Sequence, residues 1–113
     1  MSEALPVLEV HEVQEHQLEK QPLVPWNVVL LDDDDHTYDY VIEMLHRLFC
    51  HPIPLCYQMA LEVDTCGRVI VYTTNQERAE LEAARIHAYG ADPRISRCAG
   101  SMSAIIEPAC GNS

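Results

Sequence analysis

The stretch from Trp26 to Leu45 constrains the fold of this chain more than any other. Its first six residues, Trp26-Asn27-Val28-Val29-Leu30-Leu31, form a short apolar run rich in β-branching, which reads as a buried strand. Four consecutive aspartates, Asp32 to Asp35, end that run abruptly. Beyond them Val41, Met44, Leu45, Leu48 and Phe49 recur at i, i+3, i+4, i+7 and i+8, one face of a helix. Asp35 or Thr37 can cap this helix, and Asp39 suits its positive first turn. Four adjacent carboxylates repel one another and gain nothing by packing. Yet one or two of them must face the strand end, where the backbone geometry is fixed. The segment therefore looks built to hold a positively charged group beside an apolar pocket.

The rest of the chain supplies partners for that strand and helix. His51-Pro52-Ile53-Pro54 breaks the helix, and Pro54 suits a first helical position. Cys56, Met59, Ala60 and Val63 repeat at helical spacing, and Thr65-Cys66-Gly67 reads as a turn. Arg68 to Thr73 reads as a second strand. Asn75 caps a third helix with Glu77 near its positive end and Ala79, Ala83 and Ile86 on its inner face; Gly90 and Pro93 stop it. A third strand is expected near Arg94–Arg97, with Ser103–Glu107 a terminal strand or a tail. The order β-α-α-β-α-β predicts an α+β (α/β) unit, three helices packed on a small three-stranded antiparallel sheet. Residues 1–25 hold five glutamates and three prolines with little periodicity, so they are expected to be a flexible extension. The folded domain is expected over 26–108, with a short tail at 109–113.

Composition narrows the function classes. The chain's 113 residues amount to one domain with one modest core. A net charge of −11 argues against nucleic acid and anionic membranes as partners, and favours cationic ones. No apolar run approaches the roughly 20 residues that span a bilayer. The glutamate-bearing start does not read as a signal peptide, so a cytoplasmic location is expected. The five cysteines are odd in number and lack CxxC spacing, which argues for reduced thiols.

The acidic turn admits three readings from its residues. It can be a solvated turn with a helix cap. It can be the acid pair of a phosphoacceptor receiver domain, but that chemistry needs a lysine on a later strand. The chain's lysine, Lys20, lies in the tail. About 85 residues are also too few for a five-strand doubly wound sheet. It can hold a hard cation with His36, although EF-hand spacing is absent and His46, His51 and His87 complete no ligand set.

Taken together and in order, NVVLLDDD, YVIEMLHRLF, MALEVD, GRVIVYT and NQERAELEAARIH resemble the ClpS family, adaptors that hand substrates to the Clp AAA+ protease. The resemblance covers roughly Trp26 to Ser96. It implies a compact α/β unit that recognises an N-terminal destabilising residue, such as Leu, Phe, Tyr or Trp, at the start of a protein. It implies that the free α-amino group is held at Asp32, Asp33, Asp34, His36 and Asp64. It implies a side-chain pocket of Tyr38, Val41, Ala60, Val63 and Arg94. Asp32 stands where the family usually has asparagine, Asp64 where it has histidine, Tyr38 at a gate that is often methionine, and Ala60 where methionine is usual. Glu77 matches an acid that meets the N-domain of a ClpA- or ClpC-type unfoldase, while Glu82 replaces a lysine on the same docking face. The extension resembles the one that the unfoldase engages during delivery.

No nucleophile-base pair and no cofactor motif is present, so the expectation is a monomeric binding module without cofactor or metal, not an enzyme. Two alternatives remain open at this point. One is an interaction domain of the same fold with altered or lost peptide specificity. The other is a cation-binding domain through Asp32–Asp35.

Overall fold

The structure is a computed structural model that describes residues 24–33, 35–95 and 100–109. The expected extension over residues 1–25 and the tail at 109–113 fall almost wholly outside these. The elements are β1 (Trp26–Leu31), α1 (Tyr38–Phe49), α2 (Ile53–Cys66), β2 (Arg68–Thr74), α3 (Gln76–His87) and β3 (Ala104–Pro108). The order is the expected β-α-α-β-α-β.

β1 is the central strand, paired antiparallel with β2 on one side and β3 on the other. Burial on both faces explains its continuous apolar run, since Val28, Val29 and Leu30 are fully buried. Opposite β1, β2 alternates buried Val69 and Val71 with exposed Arg68 and Ile70, the period-two signature of a strand covered on one side. The pairing of β1 with β2 shifts register between Val28 and Val29.

The helices supply the rest of the core. Tyr40, Val41, Met44 and Leu45 of α1 meet Cys56, Ala60 and Val63 of α2, and Ala79, Ala83 and Ile86 of α3 close the layer. Thr37 caps α1 by accepting from the Tyr40 N–H. Cys50 ends it in the left-handed region at φ 59°, an uncommon conformation for a residue with a β-carbon. α2 runs through Thr65 and Cys66, two residues further than the expected Thr65-Cys66-Gly67 turn allows. Gly67, at φ 86°, stops it and returns its N–H to the Val63 carbonyl. As expected, Asn75 caps α3, its side chain accepting from the Arg78 N–H.

The third strand is β3 at Ala104–Pro108, not the segment near Arg94. Pro93 has no N–H to give to a ladder. The Arg94 N–H is turned instead onto the Asp92 carboxylate, and Pro93–Ile95 is a turn and bend. Residues 96 and 97 lie outside those described. Cys50, Cys56 and Cys66 are free thiols. Among the described residues, no helix is long and apolar enough to cross a membrane.

Candidate functional site

The acidic turn, the start of α1 and the second half of α2 converge on one shallow cavity of about 40 Å³. Its lining comprises Asp32, Asp33 and His36 from the turn, Thr37, Tyr38 and Val41 from α1, Ala60, Val63 and Asp64 from α2, and Met102 ahead of β3. Val41, Ala60, Val63 and Met102 are buried and form an apolar floor. The carboxylates of Asp32 and Asp64, 32 residues apart in sequence, stand at its mouth. Backbone bonds fix the strand end beneath them. The Asp32 N–H donates to the Gly67 carbonyl, just past the end of α2, and the Leu31 N–H donates to the Ser103 carbonyl.

Each wall has its own bracing. Asp33 Oδ1 accepts from the Asp35 N–H and lies 2.6 Å from His36 Nδ1, while His36 Nε2 lies 2.8 Å from the Gly100 carbonyl. The His36 side chain is only 3% exposed, and its ring centroid lies 4.5 Å from that of Tyr40. Its two ring nitrogens thus tie the turn to the segment before β3. Thr37 donates both its N–H and its hydroxyl to Asp92 Oδ2, each at 2.8 Å. Asp92 is 1% exposed. Burial by itself would raise its pKa, but the bonds it accepts from Arg94 and Thr37 outweigh burial and hold it at about 2.

At the mouth, the Tyr38 hydroxyl donates to Asp64 Oδ2 at 2.7 Å. That bond, reinforced by burial and by the negative charge of Asp64, pushes the phenol up to about 12. The Tyr38 ring also faces Tyr57 at 6.0 Å. Tyr57 opens onto a larger groove of about 540 Å³ along α2, lined by Pro54, Leu61, Thr65 and Cys66 among others.

The family described as ATP-dependent Clp protease adaptor protein ClpS matches residues 19–93. The chain belongs to the ClpS adaptor family. The ATP-dependent Clp protease adapter protein ClpS of Vibrio atlanticus is 32% identical over 77 residues, covering 68% of this chain and 73% of that protein. The ClpS of Mycobacterium marinum is 29% identical over 66 residues, covering 58% of this chain and 65% of that one. A solved structure, Agrobacterium tumefaciens ClpS2 bound to L-phenylalaninamide, has the same fold with a TM-score of 0.66 at 18% identity, covering 77% of this chain and 99% of its own.

In this ClpS-family chain the cavity gathers Asp32, Asp33, His36, Tyr38, Val41, Ala60, Val63 and Asp64, all named from sequence. Asp34 lies outside the described residues. Arg94 does not join the lining. Its guanidinium bonds Glu43 on the flank of α1 and Asp92, because the turn at Pro93 carries it away from the cavity. Glu82 is likewise not an exposed docking charge. It is 1% exposed and its carboxylate is held by Arg78 at 2.7 Å and Arg85 at 2.8 Å. The bond to Glu82 raises the Arg78 pKa. Glu77 lies on an exposed patch at the start of α3 with Asn75, Arg78 and Leu81. Among the described residues, no group of three or more His, Cys, Asp or Glu converges as a metal site.

Sequence reasoning passed over Thr37 as a strut, Asp92 and Met102. Asp92 stands directly before Pro93, where an acid reads as turn punctuation. Met102 sits in a weakly patterned stretch. Neither gives a local signal of contact with α1.

Proposed function

We propose that this ClpS-family adaptor binds the free N-terminus of proteins that begin with a destabilising residue and delivers them to a Clp AAA+ unfoldase of the ClpA or ClpC type. Asp32 and Asp64 accept the α-ammonium. Val41, Ala60, Val63 and Tyr38 receive the first side chain, and Glu77 belongs to the surface offered to the unfoldase N-domain. The adaptor itself carries out no chemistry. Asp34 and the N-terminal extension, the latter as the segment that the unfoldase engages, belong to the same reading.

One observation carries it: two carboxylates from distant segments line one cavity that has a buried apolar floor. An α-ammonium is a cation with three donors, and charge-assisted bonds to carboxylates are the strong ones. A large apolar side chain adds about 1.5–3 kcal/mol when fully buried. Cation and side chain are joined in that arrangement only at a chain's own N-terminus. The phenylalaninamide in the Agrobacterium ClpS2 structure has the same two parts, a free amine and a large apolar side chain.

Fluorescence anisotropy with short labelled peptides beginning with Phe or Leu tests the reading. Acetylation removes the positive charge and two donors. With bonds to charged groups contributing about 1.5–3 kcal/mol, affinity is expected to fall about 100-fold. Equal binding of free and acetylated peptides would refute the proposal, as would binding by neither.

A further inference from the structure

We propose that Tyr38 is a latch that occupies the site from within: its hydroxyl takes the position on Asp64 that an incoming α-ammonium needs, so cargo binds only by displacing it. This rests on the adaptor reading of Asp64. Two observations carry it beyond that reading. The first is the bond itself, Tyr38 hydroxyl to Asp64 Oδ2 at 2.7 Å, made across the mouth between the first residue of α1 and the end of α2. The second is the space behind it. About 40 Å³ is enough for water but far below the 300–1,000 Å³ of ordinary ligand pockets, so a Phe or Leu side chain enters only after the ring has moved.

The groove along α2 gives the ring somewhere to go. The Tyr38 and Tyr57 rings lie 6.0 Å apart, and Tyr57 and Leu61, both exposed, line that groove with Thr65 and Cys66. Tyr38 is partly buried at the head of α1 and packs on the edge of the core, so a swing about its side-chain torsions gives up that contact as well as the bond to Asp64. The raised phenol pKa agrees with a proton held toward Asp64.

A free α-ammonium replaces the hydroxyl with a charged donor and compensates Asp64, whereas an acetylated N-terminus brings no cation. Every ligand that needs the open site gives up the same Tyr38 bond, so the latch lowers all affinities by one factor, the fraction of time it is open. Discrimination between free and acetylated ends belongs to Asp64 and not to the latch.

Tyr38→Phe keeps the ring and removes the hydroxyl. Measured by anisotropy with a fluorescein-labelled peptide beginning with Phe, it is expected to bind about 2- to 5-fold tighter than the parent, the size of one exposed hydrogen bond. The ratio of free to acetylated affinity is expected to stay as it is in the parent, because both peptides displace the same bond. Unchanged or weaker binding by Tyr38→Phe, with the parent still discriminating against acetylation, overturns the latch and leaves the adaptor reading standing. If neither protein binds either peptide, the adaptor reading fails, and the Tyr38–Asp64 contact is judged by tyrosine-ring NMR. At about pH 11, Tyr38 is expected to remain mostly protonated in the parent and to ionise in Asp64→Asn. The same ionisation in both proteins overturns the latch.

Discussion

Replacing Asp92 with asparagine should cost this small domain about 2 kcal/mol at neutral pH. Asp92 is 1% exposed and does not itself line the cavity, but it bonds Thr37, which does. It accepts from the Thr37 N–H and hydroxyl on one oxygen and from the Arg94 N–H and guanidinium on the other. These bonds hold its pKa at about 2 against an ordinary 3.8, a difference worth about 2 kcal/mol. The sign follows from proton counting. Between those two values the unfolded chain binds more protons than the folded one, so stability falls as the pH falls through that window. The contribution is complete above about pH 4 and lost near pH 2. Asparagine keeps the shape but removes the charge, and its amide turns a donor toward groups that are themselves donors. Urea unfolding of the parent and Asp92→Asn at pH 7 and pH 3 measures the effect. The gap between them should be about 2 kcal/mol at pH 7 and shrink to roughly half of that at pH 3. An equal gap at both pH values, or none at pH 7, would refute the electrostatic account of this residue.

Two further substitutions probe other parts of the structure. Met44→Ala removes a fully buried side chain from the middle of α1 and should cost about 2–5 kcal/mol, read as a fall in thermal midpoint; a shift of a degree or less would mean that the core collapses around the gap. Glu82→Lys would set a third cation between Arg78 and Arg85 at a position that is 1% exposed. It should cost about 2–3 kcal/mol in urea unfolding, below the value for a fully buried pair because both arginines are partly solvated. Tolerance of the lysine would show that the two arginines leave the carboxylate at little cost.

What could be read from the sequence was what repeats locally. The run from Trp26 to Leu31, the Val41-Met44-Leu45 face and the Asn75 cap each state their conformation within a few residues, and each lies where that pattern puts it. The cavity was legible because the resemblance aligned Asp32 with Asp64, which no spacing rule would pair. What failed depended on contacts that cross the chain. Arg94 was read as pocket-lining and as the start of a strand, but its N–H and guanidinium are both committed to Asp92. The resemblance puts Glu82 on the docking face, at a position where the family has a lysine. Its burial becomes clear only when two arginines, one turn before and one turn after, are seen to fold over it. The strand expected near Arg94–Arg97 is a turn and bend as far as Ile95, whereas the terminal strand expected as one option at Ser103–Glu107 is β3, where Ala104 to Ile106 pair with Val28 to Leu30.

The crossing contacts share a target. Asp92 holds Thr37, the Gly100 carbonyl holds His36, and the Gly90 carbonyl accepts from the Tyr40 hydroxyl at 2.6 Å. All three partners lie between α3 and β3, and all three grip the first turn of α1 or the turn just before it. The opposite wall, Asp64, is fixed differently, by Ala60 and Val63 in the core and by Gly67 closing α2. The cavity therefore lies between core residues of α1 and α2, Val41, Ala60 and Val63, and the turn before α1, which polar struts set, with Tyr38 bridging the two. Polar struts open at lower cost than a core does, since each contributes about as much as a single bond. Movement that admits cargo should start at the α1 side, where Tyr38 sits, with α2 as the fixed reference. Loosening the struts by Asp92→Asn would then change peptide affinity as well as stability, although Asp92 lies outside the cavity.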